Sequence, residues 1–223
     1  FTAGHRKFLK ERKVPVVVIG QHTNLANCIY HDDYGAGKAM GQVVAGFSKK
    51  GIAYIGVTRD DKAAGAARED GFIAGLKNAG ITLLEENKRT SAFTLESGYE
   101  AALDLLESKC DIDVISCATD TIAAGAIEAI QTYLKKQVPA NAADAGARMR
   151  YILENTSIRV TGFGDNQMLK AVTGGIPTIH FGYKTSGIRG AELLLDSIEG
   201  GEQIPIEMKL GFRLVGTDLS DSE

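Results

Sequence analysis

The chain has 223 residues, 44% apolar and 24% charged, which is a globular composition with room for one large domain or two small lobes. Its formal net charge of -3 argues against a basic nucleic-acid-binding surface. No apolar run reaches the length of a membrane helix, and no signal peptide is recognisable. Three cysteines without a C-x-x-C motif indicate reduced thiols in a cytosolic protein.

Apolar runs and amphipathic stretches alternate along the chain, which predicts a parallel sheet built from right-handed β-α-β units. The first run, residues 14–20, is continuously apolar and is expected to be a strand buried on both faces. The Ala-rich stretch 139–154 favours a helix without a partner strand. Further strands are predicted at 28–30, 52–56, 82–87, 114–116, 158–162, 177–180 and 207–215, the last broken by Gly211, and helices at 35–47, 63–78, 95–108, 120–136, 166–172 and 183–199.

Two motifs near the first predicted helix could indicate a phosphate loop or a metal site. Gly35–Lys38 follows a strand, but Asp32 and Ala39 stand where a phosphate loop needs Gly and Ser or Thr. We interpret these small residues as allowing the helix to pack tightly on the sheet. His31, Asp32 and Asp33 alternate between opposite faces of an extended segment, so we expect a turn that caps the helix rather than a metal site.

Aromatic rings and hydrogen-bonding side chains collect at the predicted carboxyl ends of the strands, where ligands bind in such sheets. This chemistry suits a sugar, whose C–H faces stack on aromatic rings and whose hydroxyls need paired donors and acceptors. The alternatives are a surface ion pair between Arg68 and Asp165, a loop plug at Phe93 and a core residue at Tyr183. The candidates are Tyr30, Arg68, Phe93, Asp120, Asp165, Asn166, Phe181 and Tyr183.

Motifs spread over nearly the whole chain resemble the effector-binding region of the lactose-repressor (LacI/GalR) family of bacterial transcription regulators. They follow one another in the family's order. Residues 58–65, 162–166 and 182–187 look most like the sucrose- and trehalose-type repressors. Residues 14–20 resemble IPVV-x-I-D, 32–36 DN-x-x-G-A, 50–56 GH-x-x-IA-x-I-x-G, 68–76 R-x-x-GF-x-x-AL, 93–101 F-x-x-ESGY-x-A, 118–126 AND-x-x-A-x-GA and 160–165 VVGFDD.

The resemblance implies an α/β, two-lobed, periplasmic-binding-protein-like (type I) fold, with parallel sheets flanked by helices. Residues 1–30 and 181–206 would form an N-terminal lobe that is incomplete in this chain. Residues 31–180 and 207–223 would form the C-terminal lobe, and the helix-turn-helix headpiece is absent. The 139–157 segment is longer than the family's short loop and has no assigned role.

The resemblance also assigns roles to the candidate residues. Arg68 inherits the arginine that binds sugar hydroxyls, and Phe93 an aromatic that packs on the ligand. Tyr30 falls at the first crossover between lobes, and Phe181 and Tyr183 at the second. Thr119 and Gly164 replace an amide and an acid that bind ligand in the family. Asp120 keeps the acid of the first pair, and the role of the second acid is expected to pass to Asp165, next to the candidate Asn166.

The leading hypothesis is the sugar-sensing, dimerising domain of a cytoplasmic repressor of a sugar-utilisation operon. It would form a homodimer, contact operator DNA only through the missing headpiece, and need no cofactor or metal. Lys62 and Arg68 suit a phosphate, whereas Asp60, Asp61 and Asp165 favour neutral hydroxyls, so we expect a neutral sugar such as sucrose or trehalose. The alternatives are a sugar-binding protein of a transport system and an enzyme. The latter is disfavoured because the sequence shows no nucleophile–base pair.

Overall fold

The first sheet consists of three parallel strands in the order β1-β2-β8: β1 (Val17–Ile19), β2 (Asn27–His31) and β8 (Glu207–Leu210). The computed structural model describes residues 2–48, 50–108, 111–138, 157–200 and 204–216. Helix α1 (Ala3–Glu11) precedes this sheet, and the long helix α7 (Tyr183–Gly200) packs on β1 and β2. The pairing of β8 with β2 groups residues 207–210 with the first sheet, although the sequence assigned them to the other lobe.

The second sheet also has parallel strands, in the order β4-β3-β5-β6: β3 (Ile52–Gly56), β4 (Lys88–Thr90), β5 (Val114–Cys117) and β6 (Arg159–Thr161). Strand β7 (Thr178–Phe181) pairs antiparallel with β9 (Phe212–Val215). The amides of Gly162 and Gly164 donate to carbonyls of Pro177 and Ile179 at 2.9 and 2.8 Å, so β7 continues this sheet beside β6. The helices are α2 (Asp33–Phe47), α3 (Arg68–Asn78), α4 (Leu95–Glu107), α5 (Asp120–Gln137) and α6 (Gln167–Thr173).

Two predicted strands were wrong in part. Residues 82–87 contain a short 3-10 turn at Glu85–Asn87, and the strand follows it at β4, whose Lys-Arg-Thr sequence lacks an apolar signal. Its basic side chains instead form ion pairs, Lys88 with Glu69 and Arg89 with Asp104. The 14–20 run is not buried on both faces: Ile19 is 51% exposed, because β1 lies at the edge of its sheet in the described part of the chain.

Helices α2 and α3 approach each other so closely that their contact requires glycine. A Cβ atom added to Gly37 would lie 2.3 Å from the Arg68 carbonyl oxygen, and one added to Gly71 would lie 2.1 Å from that of Tyr34. The small residues of the 35–38 segment therefore allow close packing, as predicted, but at Gly37 the partner is α3 rather than the sheet. This contact fixes the position of Arg68, the first residue of α3.

A six-residue π-helix (Lys62–Ala67) leads directly into α3, where the sequence predicted one continuous α-helix. The Asp61 carboxylate accepts hydrogen bonds from the Ala63 and Ala64 amides at its start. The Ala66 amide donates to the Asp61 carbonyl oxygen, five residues back, at 2.8 Å. Such wide turns are found frequently at functional sites.

Both cysteines within the described residues, Cys28 and Cys117, are buried and free, and burial raises the pKa of both thiols. Cys110 and the helix predicted at 139–154 lie outside the described residues. None of the described helices combines the length and the hydropathy that crossing a bilayer requires.

Tyr54 gives a test of the second sheet's packing. Its ring stacks on Phe72 with centroids 5.0 Å apart, and its hydroxyl is the buried side-chain polar atom that lacks a hydrogen-bond partner in the described regions. Because an unpaired buried hydroxyl is unfavourable, we expect Tyr54→Phe to raise the free energy of unfolding by about 1 kcal/mol in urea denaturation. Tyr34→Phe, at a half-exposed ring, should change it little. A loss of stability in Tyr54→Phe would contradict an unpaired hydroxyl.

Candidate functional site

Three short segments run between the first sheet with α7 and the rest of the fold, at residues 31–33, 181–183 and 210–212. Backbone and side-chain contacts tie this region together. The Asp32 amide donates to the Leu210 carbonyl oxygen at 2.9 Å, and the Lys209 ammonium lies 2.7 Å from the Asp32 carboxylate. Nε2 of His31 lies 2.9 Å from Oγ of Ser186 on α7. The ends of β2, β7 and β8 therefore converge on one region between the sheets.

The capping prediction for the 31–33 turn is confirmed for Asp32, whose carboxylate accepts a hydrogen bond from the Gly35 amide at 3.1 Å. The two neighbouring residues, His31 and Asp33, are both buried, and Asp33 forms an ion pair with Arg68. The sequence prediction missed these two residues as site members. The available signal was that residues two apart on an extended segment share a face.

Arg68 is held from several sides. Its Nε donates to the Asp33 carboxylate at 2.8 Å, and Nη1 donates to the Ala118 carbonyl oxygen at 2.7 Å. The guanidinium lies 5.0 Å from the Phe163 ring centroid and 5.4 Å from that of Phe181, within cation–π range. Nη2 forms no hydrogen bond to any residue in the described segments. The alternative of a surface ion pair with Asp165 is wrong, because the partner is Asp33.

Aromatic rings surround this guanidinium. Phe181 is fully buried, and its ring centroid lies 4.8 Å from that of His31, so Phe181 supports the site rather than presenting a surface to it. Tyr183 is 54% exposed and packs edge-on against His31 at 5.4 Å. Burial raises the pKa of Tyr183, so its hydroxyl stays protonated as a donor near neutral pH.

Asp120, Asp165 and Asn166 form a separate group that holds the loop after β6. The Asp120 carboxylate accepts hydrogen bonds from the Asn166 amide at 2.6 Å and from Oγ1 of Thr178 at 2.7 Å. Burial raises the pKa of Asp120. Asp165 has a left-handed backbone (φ 51°), and its carboxylate lies 2.9 Å from Nδ1 of His180.

The Asn166 side chain accepts a hydrogen bond from the Leu169 amide and caps α6. With Asp120 and Asp165 it borders a small pocket of 280 Å³ beside this helix. Phe93 is half exposed between β4 and α4 and makes no ring contact or hydrogen bond with the other candidates in the described part of the chain. Phe93 therefore lies apart both from the residues around Arg68 and from the group formed by Asp120, Asp165 and Asn166.

A larger cavity of 430 Å³ opens between the ends of the first sheet and the π-helix. Tyr30 is the sequence-predicted candidate on its wall, with its ring 5.0 Å from that of His22. The volume is within the range typical of small-molecule sites. Its wall is formed by Arg6, Gly20, Gln21, His22, Tyr30, His31, Asp32, Asp33, Tyr34, Asp60, Lys62, Ala63, Ala67 and Lys209.

A cleft between two α/β layers, with polar and aromatic side chains at the crossovers, is the arrangement of a ligand-binding protein. Residues 6–173 match the family model described as the periplasmic binding protein domain. This match covers well over half of the chain, so the chain belongs to that family.

The chain also resembles transcription regulators. It is 28% identical over 186 residues to the sucrose operon repressor of Staphylococcus xylosus, an alignment covering 83% of this chain and 52% of that protein. It thus spans about half the length of the curated relatives it matches. A LacI-family regulator from Enterococcus faecium with bound ribose superposes with a TM-score of 0.75 at 18% identity, covering 96% of this chain and 74% of that one. For the trehalose repressor from Escherichia coli the TM-score is 0.68 at 21% identity, with 89% and 68% covered.

These matches confirm the predicted fold class and the resemblance to lactose-repressor-type regulators. The relatives are transcription regulators rather than enzymes or transport proteins, which agrees with the leading hypothesis.

Proposed function

We propose that this chain is the effector-binding part of a sugar-responsive transcription regulator, and that its effector is a neutral sugar, with sucrose and trehalose as the first candidates. The observation that carries the proposal is the cluster at the crossovers. Arg68 is fixed by Asp33 and by aromatic rings, and its Nη2 is left to donate to a ligand. A fixed donor beside aromatic rings suits a sugar ring and its hydroxyls.

The charges near the cavity support a neutral effector. Asp33 is paired with Arg68, and Asp32 with Lys209, so these charges are largely compensated within the protein. We propose Tyr30, Arg68 and Tyr183 as direct contacts. Phe181, Asp120 and Asn166 would support them, and Phe93 and Asp165 would contact the sugar only after the lobes move.

The proposed mechanism is a two-state movement of the lobes about the crossovers. The sugar would bind one arrangement better than the other, and this difference in affinity would shift the population. Hinges of this kind absorb rotation in a few connecting residues. The regulator would be a cytoplasmic homodimer that reaches operator DNA through a headpiece outside this chain.

A thermal-shift titration tests the proposal. A sugar at one hundred times its dissociation constant adds about 2.7 kcal/mol of stability, which corresponds to a rise in Tm of roughly 5–10 °C. We expect this from sucrose, trehalose, glucose or fructose, and not from glycerol at the same concentration. A response to sugar phosphates alone would contradict the neutral effector, and no response at all would contradict sugar sensing.

Sedimentation in the same buffers separates the proposal from a sugar-binding transport protein with the same fold. A regulator is expected to be a dimer, with an association that the sugar changes. A sugar-binding monomer whose association is unaffected would favour the transport protein.

A further inference from the structure

We infer that His31 is a ligand contact that accepts a hydrogen bond from a sugar hydroxyl, and that Ser186 holds its ring in the tautomer this requires. The inference rests on the proposed function and deepens it, because it specifies the chemistry of one part of the effector. No candidate role was given to His31 by the sequence.

The hydrogen bonds of Ser186 determine which ring nitrogen carries the proton. The Ser186 hydroxyl donates to the Gly182 carbonyl oxygen at 3.1 Å, one turn earlier in the chain. A serine hydroxyl has a single hydrogen. Nε2 of His31, 2.9 Å away, must therefore be the donor in its contact with this hydroxyl. The proton of the neutral ring is on Nε2, and Nδ1 has the free lone pair.

The surroundings of the ring keep it neutral. Burial lowers the pKa of His31, and the nearby positive charge of Arg68 acts in the same direction, while the Asp33 carboxylate opposes them. The other titratable group packed against the ring is Tyr183, which is uncharged near neutral pH. A neutral ring can accept a hydrogen bond, whereas a doubly protonated ring cannot.

Nδ1 is available to a ligand. It has no hydrogen-bond partner in the regions that the structure describes, and His31 lies on the wall of the 430 Å³ cavity. The ring itself cannot rotate freely, because it packs against Phe181 and Tyr183 and is held by Ser186. The cavity therefore has a fixed, uncharged acceptor on the same wall as the donors of Tyr30 and Lys62.

The Nδ1 acceptor of His31 determines which chemical group of a ligand can bind next to it. Each sugar hydroxyl has a hydrogen to donate, so it satisfies Nδ1. A carboxylate or a fully ionised phosphate has acceptors only and would leave the lone pair of Nδ1 facing negative charge. The part of the effector that contacts His31 is therefore a hydroxyl group, and an anionic group must lie elsewhere.

Two substitutions of His31 distinguish the role of Nδ1 from that of Nε2. Asparagine places its amide atoms one bond beyond Cγ, as Nδ1 is, whereas glutamine places them two bonds beyond Cγ, as Nε2 is. His31→Gln keeps a partner for Ser186 and loses the cavity acceptor, so we expect sucrose and trehalose affinity to fall about threefold to tenfold. His31→Asn keeps the acceptor and loses the Ser186 contact, so affinity should stay within about twofold.

Each outcome of the sugar-binding measurements supports or contradicts either the role of His31 or the proposed function. If the unsubstituted protein binds a sugar and His31→Gln binds it equally well, the inference is wrong and the proposed function stands. Equal losses in both variants would also overturn it, since the two nitrogens would then be equivalent. If the unsubstituted protein binds no sugar, the proposed function fails, and the inference fails with it.

Nitrogen-15 NMR of the unliganded protein tests the tautomer without any sugar and without substitution of His31. We expect a protonated Nε2 and an unprotonated Nδ1 at neutral pH. Ser186→Ala removes the fixed acceptor and should produce a mixture of tautomers. A proton on Nδ1 in the unsubstituted protein would overturn the inference.

Discussion

Replacing Arg68 by alanine is expected to lower the free energy of unfolding by about 3–5 kcal/mol, with Tm falling on the order of 10 °C. Both partners of the Arg68–Asp33 ion pair are almost buried, with side-chain exposures of 12% and 7%. The substitution leaves the Asp33 charge buried without its partner and removes the donor to the Ala118 carbonyl oxygen. Chemical denaturation measures the change.

Arg189→Ala is the matched control, because Arg189 pairs with Glu192 on the surface of α7, where both side chains are about half exposed. Exposed pairs contribute little, so this variant should lose no more than about 1 kcal/mol. Adding Asp33→Asn to Arg68→Ala should restore part of the stability by removing the unpaired charge. A loss below about 1 kcal/mol in Arg68→Ala would contradict the structural role of the pair.

The same substitution tests the proposed site. Loss of a charged hydrogen bond to a sugar hydroxyl should weaken binding by about 1.5–3 kcal/mol, measured by calorimetry at a temperature where the variant remains folded. Unchanged sugar affinity in the folded variant would remove Arg68 from the list of contacts.

Gly41→Ala is expected to destabilise the protein by about 2–3 kcal/mol, although alanine is the better helix former. The added Cβ would lie 2.3 Å from the Phe72 carbonyl oxygen and 3.1 Å from Cα of Gly75, and both are backbone atoms that cannot rotate away. Helices α2 and α3 would have to separate. Because α3 begins at Arg68, we also expect weaker sugar binding.

Gly46→Ala is the control, since Gly46 lies in the same helix and a Cβ there would meet nothing within 4 Å. It should stabilise the protein by up to about 1 kcal/mol. The difference between the two variants in urea denaturation isolates the effect of close packing from that of helix propensity. A stabilising Gly41→Ala would show that the helices can separate at little cost.

Helices α2, α4 and α5 were predictable from the sequence, because each has an apolar face at helical spacing and a polar cap before it. Asp32, Thr94 and Thr119 accept hydrogen bonds from the first turns of α2, α4 and α5, whose observed bounds lie within two residues of the predicted ones. Strand β4 was not predictable in this way. Its basic residues lie in a strand because Glu69 and Asp104, from α3 and α4, neutralise them.

The candidate site was predictable only in part. Residue type and position marked Arg68, Tyr30 and Tyr183 for the region between the lobes, and the structure places them near the cavity or the crossovers. Asp120 and Asn166 looked equally suitable, yet the Asp120 carboxylate and the Asn166 side-chain oxygen already accept hydrogen bonds from other parts of the protein. Nothing in a sequence states whether a hydrogen-bonding group is already satisfied by its neighbours, because these partners are far apart along the chain.

The sequence by itself predicted the alternation of strands and helices, the family and the general location of the candidate site, since these depend on local periodicity and on motifs in order. The tertiary structure alone decided which strands share a sheet. On either side of Gly211, β8 pairs with β2 and β9 pairs with β7. It also decided that Arg68 pairs with Asp33 and that His31 faces the cavity. These facts depend on contacts between distant segments, and such contacts form only when the layers pack.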